Sequence, residues 1–363
     1  MVAEKVTSQN ASLHDKRSSI IWWLLGILLL GLVLVLFLDL AVGSVGIPLK
    51  SVLRILSGQA GEKSSWYDIM YKIRLPKALT AILVGAALSV SGLQMQTLFR
   101  NPLADPFILG INSGAGLGVA LVILSFGTTG SILLAGFGFL GDLSLAVAGS
   151  IGAGLVLLLV LIIGRKVRNP VTLLIMGLMF GYAISAVVSL LIYFSIPERI
   201  QTYTTWSYGS FGGVTWNQMR VMAPVVLLGL AVAFFLPKAL NTLLLGEEYA
   251  ATMGMNVRKT RFWILLGASL LAGVVTAFCG PIGFIGVAIP HLCRSMFNTS
   301  DHRILLPAVI LIGAMVALLA DVLAQLPGTQ YTLPINIVTS LFGAPFIIYL
   351  IIKQGRARST LLN

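Results

Sequence analysis

Long apolar segments separated by short polar loops make up most of this chain. A membrane-spanning helix needs about 20 mostly apolar residues, and ten segments approach that length. The third and the eighth are short and rich in glycine, so we expect broken or tilted helices there. The predicted spans lie near residues 20–40, 78–98, 108–127, 143–164, 171–195, 220–237, 262–280, 282–296, 304–325 and 334–352.

Two further apolar features need separate interpretation. Segment 131–142 is too short to span, and we expect a re-entrant or interfacial element. The first span follows Lys16 and Arg17, as in a signal peptide, but its length exceeds the usual 7–15 apolar residues. We therefore expect an uncleaved span, with a cytoplasmic tail at 1–19, a transmembrane domain at 20–353 and a second cytoplasmic tail at 354–363.

One long polar stretch, residues 238–261, interrupts the apolar pattern. Glu247 and Glu248 begin a short helix there, where negative charge suits the positive end of the helix dipole. Gly254 stands where a left-handed residue would end it. A two-turn helix is not stable alone in water, so we predict that it docks on a soluble partner. Its apolar stripe consists of Tyr249, Ala250 and Met253.

Composition and charge place the chain in a membrane. Hydrophobic residues make up 57% of it and charged residues 10%, whereas soluble domains carry about 25% charged residues. The net charge of +12 does not indicate a nucleic-acid partner, because the basic residues lie in short loops beside apolar spans. Most of these loops fall on the side of the two termini, which predicts cytoplasmic termini and a cytoplasmic 238–261 stretch.

A weak internal repeat supports this topology. Residues 82–88 (ILVGAAL) resemble residues 264–270 (ILLGASL), half a chain length later. The two copies lie on spans predicted to run in opposite directions. Inverted repeats of this kind are typical of transporters.

The sequence contains no pattern that predicts catalysis or metal binding. No phosphate-binding loop of the form GxxxxGK[ST] is present, so a partner would have to hydrolyse any ATP that drives this protein. His291 and Cys293 are close in sequence, but two residues apart they point to different faces of a helix. We therefore predict no enzyme activity and no metal site.

Three aspartates, Asp39, Asp142 and Asp321, lie in or beside apolar segments. A buried carboxylate inside a membrane is a candidate proton or sodium site. All three fall near predicted outer ends, which favours capping or an interfacial position. A secondary transporter driven by protons or sodium remains an alternative, and it would use one of these aspartates.

The loop after the second span has an unusual pattern of prolines. Pro102 and Pro106 prevent a continuous helix, and Asn101 and Asp105 can cap the resulting turns. A rigid connection is the simpler interpretation. The same loop could also form part of a socket around the short docking helix.

Several motifs together are similar to the FecCD-type permease family of bacterial ABC importers, which carry iron-siderophore complexes, heme or vitamin B12. They occur in family order over about residues 20–353. They are Ile73–Lys77 (IRLPK), Gly85–Leu88 (GAAL), Asn101–Pro106 (NPLADP), Ser113–Gly116 (SGAG), Gly246–Ala250 (GEEYA) with Gly254, Gly280–Gly286 (GPIGFIG), Ile289–His291 (IPH), Asp301–Arg303 (DHR), Leu333–Pro334 (LP) and Gly343–Pro345 (GAP).

The resemblance implies an all-α, ten-helix type II importer permease in the bacterial inner membrane. It implies a second copy or close homologue, surrounding lipid, and a periplasmic or lipid-anchored substrate-binding protein. Two ATPase subunits would hold ATP and Mg, with no cofactor on this chain. The coupling residues that it implies are Gly246, Glu247, Glu248, Tyr249, Ala250, Met253 and Gly254.

The resemblance also implies an outer docking site and a substrate pathway. Arg74 and Lys77 would meet acidic residues of the binding protein, although snorkelling at the interface is the alternative. Gln325 stands near where some relatives carry a further docking arginine, which puts that contact in doubt. The pathway residues, for which ordinary helix packing is the alternative, would be Val187, Val188, Leu191, Tyr203 and Trp206.

These observations predict the permease of an ATP-driven importer for iron(III) chelates, either siderophore or heme, that works by alternating access. Cobalamin is the alternative substrate. An ion-coupled secondary transporter and a membrane anchor are the alternatives from other classes.

Overall fold

The computed structural model describes residues 2–43, 45–59, 63–126, 144–164, 166, 167, 169–326 and 331–360. Within these residues the regular structure is entirely helical. Segment 131–142, including Asp142, lies outside them. The helices are α1 (Val2–Ala41), α2 (Leu49–Leu56), α3 (Ser64–Ile69), α4 (Leu75–Leu98), α5 (Ile111–Ala120), α6 (Ser144–Gly164), α7 (Pro170–Tyr193), α8 (Pro197–Ser207), α9 (Trp216–Phe234), α10 (Pro237–Leu244), α11 (Glu247–Thr252), α12 (Val257–Cys279), α13 (Ile285–Phe297), α14 (His302–Ala324) and α15 (Ile335–Thr360).

Each of the ten predicted spans coincides with one of these helices. In the described part of the chain, seven helices are long and apolar enough to cross a membrane, and the apolar stretches Ile111–Leu124 and Ile335–Tyr349 are shorter. Helix α13 has 13 residues, about 20 Å at 1.5 Å per residue, against a hydrocarbon core of about 30 Å. The prediction that the third and eighth spans are short is confirmed.

The helices that the sequence analysis did not predict lie between the spans. Helices α2 and α3 fold the outer loop, and α8 follows the fifth span. The 238–261 stretch forms two helices, α10 and α11, where one was predicted. Helices α2 and α10 each bury one apolar face on the bundle, with Val52 and Ile55 on α2 and Leu240 and Leu243 on α10. At eight residues each they are too short to appear as spans.

Helix α4 is also longer than predicted at its start. It continues α3 through a π-helical turn, Met70–Arg74, so that one helical run extends from Ser64 to Leu98. Pro76 explains the turn, since proline has no N–H and its ring clashes with the carbonyl four residues earlier. A wider π turn relieves that clash.

Helix α4 lies at the centre of the bundle. In its most apolar stretch 83% of residues are buried, against 6% for α1 and 11% for α7. Its glycines face glycines of neighbouring helices, Gly85 on Gly313 of α14 and Gly92 on Gly286 of α13. A Cβ atom would lie 2.1 Å from the Gly313 oxygen or 1.8 Å from the Gly286 oxygen. Backbone therefore touches backbone, as is common where membrane helices pack through small residues.

We predict that Gly85→Ala and Gly92→Ala each destabilise the protein, because the new methyl group must push a neighbouring backbone away. Overpacking of this kind typically costs about 1–3 kcal/mol. Thermal unfolding of the purified chain in mild detergent measures the effect. Gly154→Ala is the matched control, since a Cβ there meets nothing within 4 Å; an equal loss in the control would contradict the packing argument.

Candidate functional site

The short docking helix α11 ends as its sequence predicts. Gly254 has φ +83°, the left-handed conformation that glycine adopts at low cost. The Met255 N–H donates to the Ala250 carbonyl at 3.1 Å, and the Gly254 N–H donates to Ala251 at 3.0 Å. This pair of bonds is a Schellman motif, so the predicted C′ position of Gly254 is confirmed.

The start of α11 is fixed by glycine and by an ion pair. Gly246 has φ +109°, which a residue with a side chain adopts only with strain. Glu247 receives hydrogen bonds from Nη2 of Arg261 at 2.7 Å to both carboxylate oxygens. Nη1 of Arg261 donates to the Val167 carbonyl at 3.0 Å. Glu247 therefore does more than suit the helix dipole, because it ties α11 to the start of α12.

The apolar stripe of α11 divides into two faces, which corrects the sequence-based expectation of one. Ala250 is fully buried against Leu240, Leu243 and Ile264. Tyr249 and Met253 point the other way and are 55% and 62% exposed. The split follows from helix geometry, since residues i and i+4 share a face and residue i+1 is rotated by about 100° from them.

Together with Leu245, these side chains form an exposed apolar patch that we call the α11 patch (Leu245, Tyr249 and Met253). The polar stretch around it has no membrane-spanning length, so lipid does not explain the exposure. Three exposed apolar side chains at four-residue spacing favour a protein interaction site here.

The proline-containing loop lies beside this helix. The Asn101 side chain accepts from the Leu103 N–H at 3.0 Å, and Asp105 accepts from the Phe107 N–H at 2.9 Å, so both predicted caps are confirmed. Pro102 is exposed, whereas Pro106 is buried and begins a 3₁₀ turn, Pro106–Leu109. A Cβ on Gly246 would lie 3.5 Å from Nη1 of Arg100. The loop therefore lies next to the start of α11.

At the opposite end of the bundle, Arg74 takes an unexpected position. Its guanidinium is buried and donates to the carbonyls of Leu40 at 2.6 Å, Ala41 at 3.0 Å and Val45. The carbonyls of Leu40 and Ala41 are at the end of α1, where they lack partners within the helix, and Val45 lies in the segment that follows. A cation there also suits the helix dipole. The expectation that Arg74 is presented to a partner or to the interface is corrected, because its donors are used inside the protein.

The carboxylates of Asp39 and Asp321 are also inside the protein. They are 3% and 1% exposed, which corrects the interfacial position expected for them. Nε2 of Gln325 donates to Asp39 at 3.1 Å and to Asp321 at 2.9 Å. Nζ of Lys77 pairs with Asp321 at 2.9 Å. Gln325 thus belongs to a polar cluster. Its bond to Asp321 has the i, i+4 spacing of a helix, whereas its bond to Asp39 joins residues 286 apart.

An open cavity of about 370 Å³ adjoins this cluster. Lys77, Asp321 and Gln325 line it together with Tyr208, Ser210 and other residues of the neighbouring loops. Lys77 is therefore the basic residue of the predicted docking pair that borders open space.

The predicted pathway residues do not share one face. Val188 is buried in a cluster with Val119 and Ile123, and Leu191, Tyr203 and Trp206 pack against that cluster. Only Val187, 46% exposed, belongs to the outward face of α7. That exposed face comprises Val171, Ile175, Leu178, Met179, Tyr182, Val187 and Leu190.

Within the described residues, no group of three or more histidine, cysteine, aspartate or glutamate side chains could hold a metal ion. Cys279 and Cys293 are free and buried. The polar features that the structure does bring together lie at the two ends of the bundle, one around α11 and one around Asp321.

Comparison with known proteins agrees with this arrangement of helices. The model of the FecCD transport family matches residues 30–353, nearly the whole chain. The chain belongs to this family. It is 37% identical over 333 residues to the hemin transport system permease protein HmuU of Yersinia pestis, covering 92% of this chain and 97% of the relative.

Two further FecCD-related comparisons are informative. The vitamin B12 import system permease protein BtuC of Escherichia coli O139:H28 is 37% identical over 311 residues, 83% of this chain and 92% of the relative. A solved structure described as an inward-facing conformation of an ABC transporter assigned to the metal-chelate type superposes with a TM-score of 0.78. It is 30% identical and covers 91% of this chain and 99% of that one. The all-α ABC permease fold predicted from the sequence is confirmed.

We predict that the Lys77–Asp321 pair shows strong coupling in a double-mutant cycle. Lys77→Met leaves the buried Asp321 carboxylate without its charged partner, which typically costs about 3–5 kcal/mol. Asp321→Asn should cost less, because Lys77 borders the open cavity. The double variant removes both charges and is expected to recover most of that loss.

Thermal unfolding of the four proteins in detergent measures the cycle. Additive losses in the double variant would contradict a direct interaction. Lys72→Met is the matched control, because Lys72 pairs with Asp68 at an exposed site, and exposed pairs contribute little.

Proposed function

We propose that this chain is the permease subunit of an ATP-driven importer for iron(III) chelates, either siderophore or heme. It would carry substrate from the periplasm to the cytoplasm across the bacterial inner membrane by alternating access. Family membership and the hemin permease HmuU support this substrate class, and BtuC makes vitamin B12 the alternative. The chain itself would bind no ATP, and ATP with Mg would act on partner subunits.

The observation that carries the proposal is the exposed α11 patch on a helix with both ends fixed. Tyr249 and Met253 would enter a groove of an ATPase subunit on the cytoplasmic face, and the proline-containing loop would border that groove. Gly246 and Gly254 hold the helix ends, and Glu248 is exposed beside the patch. Movement of the ATPase would reach α12 through the Glu247–Arg261 pair, whose two partners belong to the two helices.

A second copy of the chain would cover the exposed face of α7. That face is apolar and carries no charged side chain in the described helix. An apolar wall with Val187 suits bulky chelates, because no fixed charge holds them during passage. Tyr203 and Trp206 would support this wall from behind, since they pack on the cluster beneath α7.

A soluble binding protein would dock at the opposite end of the bundle. We assign Lys77, which lines the open cavity there, to an acidic residue of that partner. Arg74 is not assigned to docking, because its guanidinium caps α1. With α11 in the cytoplasm, both termini of the chain are cytoplasmic as well.

An ion-coupled secondary transporter is the second candidate function. The observation that favours it is the burial of Asp39 and Asp321 in one cluster, since buried intramembrane carboxylates often bind protons or sodium. It requires that Asp39→Asn or Asp321→Asn abolish uptake and that an ionophore stop transport. The importer requires that ATP depletion stop it instead.

We predict that the tagged chain, purified in mild detergent from its own host, co-elutes with an ATPase whose turnover is vanadate-sensitive. Tyr249→Asp combined with Met253→Asp should abolish co-elution, because charge then replaces the apolar contact. Both residues are exposed, so the unfolding temperature of the chain should not change. Thr252→Ala on the same helix is the control.

A chain that elutes alone, yet moves substrate in liposomes under an ion gradient, would contradict the importer. Co-elution that survives both aspartate substitutions would instead move the ATPase contact away from α11.

We predict that an iron-chelate binding protein loaded with hemin or a ferric siderophore raises the ATPase rate of the complex. The partner stabilises one of the two access states, and a ligand shifts such an equilibrium only through differential affinity. The ATPase rate with and without each loaded protein measures this. Stimulation by a cobalamin-loaded binding protein alone would assign vitamin B12 as the substrate.

A further inference from the structure

A network of hydrogen-bonded polar side chains, half-buried at α10 and buried at α4, joins α10 to α4 and α14. Nδ2 of Asn241 donates to Oδ1 of Asp301 at 2.7 Å. Oδ1 of Asn241 accepts from the His302 backbone N–H at 2.9 Å and contacts Nδ1 of the His302 ring at 2.7 Å. Nε2 of that ring contacts Oγ1 of Thr97 at 2.8 Å. His302 and Thr97 are almost fully buried.

The donors and acceptors of this hydrogen-bond network follow from the partners of each side chain. The Asn241 nitrogen must face the carboxylate of Asp301, so its oxygen faces His302 and cannot donate. Nδ1 of His302 therefore carries a proton, and Nε2 of the neutral ring is an acceptor. The one hydroxyl hydrogen of Thr97 is shared between this Nε2 at 2.8 Å and the Leu93 carbonyl at 2.9 Å. Asn241 thus binds α14 at two points, while His302 extends the connection to α4.

The position of Asn241 in the fold shows which helices this hydrogen-bond network connects. It lies on α10, between Leu240 and Leu243, which are buried against the bundle. Helix α10 leads through Gly246 directly into α11. Among the described contacts of α10, the Asn241 bonds are the polar ones that reach other helices, whereas the hydroxyl of its neighbour Thr242 bonds within α10 to Lys238 at 2.9 Å.

Further hydrogen bonds near the end of α4 extend this network to α13. Next to Thr97, Gln96 donates to the Val287 carbonyl at 3.1 Å and accepts from Arg294. Both of those partners belong to α13. These bonds therefore connect α10 to α14, α14 to α4 and, through Gln96, α4 to α13.

We propose that Asn241 and His302 are positioning residues that transmit a displacement of α11 to α14 and α4. The inference rests on the proposed coupling of α11 to an ATPase. Without these bonds, α10 would be held by apolar contacts alone, which have no preferred direction and allow sliding. With these bonds in place, α10 and the first turn of α14 move together when α11 is displaced.

An exchange of the two side chains tests this inference. Asn241→Asp alone places two carboxylates against each other at 2.7 Å and should break the connection. Asn241→Asp combined with Asp301→Asn restores a donor opposite an acceptor. A rotation of the carboxamide introduced at position 301 lets its nitrogen face position 241 while its oxygen accepts the Arg303 N–H, which Asp301 now accepts at 2.9 Å. Asparagine caps helices as well as aspartate does.

The measurement must separate coupling from folding. We would introduce Thr332→Cys, at an exposed position that lines the cavity beside Asp321. The rate of its reaction with a polar maleimide is then compared with and without Mg-ATP and vanadate in the purified permease–ATPase complex. Background reaction should be low, because Cys279 and Cys293 are buried. ATP hydrolysis by the same sample is measured in parallel.

The inference predicts that Asn241→Asp keeps ATP hydrolysis but reduces the ATP-dependent change in labelling rate about 10-fold. The exchange variant should regain most of that change, and Thr242→Ala should leave it intact. If Asn241→Asp does not fold, Thr97→Val cuts the α4 branch alone, and we expect about a 3-fold reduction.

Full ATP-dependent labelling in Asn241→Asp, or in a folded Thr97→Val, would overturn the inference. Loss in Asn241→Asp without recovery in the exchange variant would also overturn it, because the hydrogen-bond pairing would not be the cause. If the chain with native residues 97, 241 and 301 binds no ATPase, the proposed function itself is contradicted. That outcome is distinct, because it is seen before any variant is compared.

Discussion

Direct backbone contact around α4 is the constraint on which the rest of this structure depends. Lipid gives apolar helices no hydrophobic reason to associate, so close packing and internal polar bonds must hold them together. The contacts of Gly85 with Gly313 and of Gly92 with Gly286 bring α14 and α13 onto α4 at a distance that side chains would forbid. The polar groups at the ends of these helices can then reach each other.

The absence of water in a bilayer explains why these polar groups bond to one another inside the protein. A buried charge or backbone carbonyl without a partner is costly there, and each one that defines a site here is paired. Arg74 satisfies the carbonyls at the end of α1, a helix whose apolar stretch is only 6% buried. Gln325 places one amide nitrogen between two carboxylates. Such pairing ties the end of α1 to α4, in addition to its packing along the bundle.

The sequence predicted what depends on local physics and missed what depends on distant partners. Span positions, the left-handed Gly254 and the caps at Asn101 and Asp105 follow from length, backbone preference and local hydrogen bonds. Arg74 and Asp39 bond to partners tens or hundreds of residues away along the chain, as Asp321 does to Lys77, and no spacing rule connects these pairs. Helix α7 is apolar on every side, so periodicity could not separate buried Val188 from exposed Val187.

The two ends of the bundle are joined by one pair of antiparallel helices. Lys77 and Thr97 are 20 residues apart on α4, and His302 and Asp321 are 19 apart on α14. Lys77 bonds to Asp321, Thr97 to His302, and between them Gly85 touches Gly313, so the pairing keeps a constant register. Twenty residues of helix span about 30 Å, the thickness of the hydrocarbon core. Because α4 and α14 are bonded at both ends and in contact between them, they cannot slide independently. A displacement of His302 would therefore also move Asp321, at the other end of the bundle.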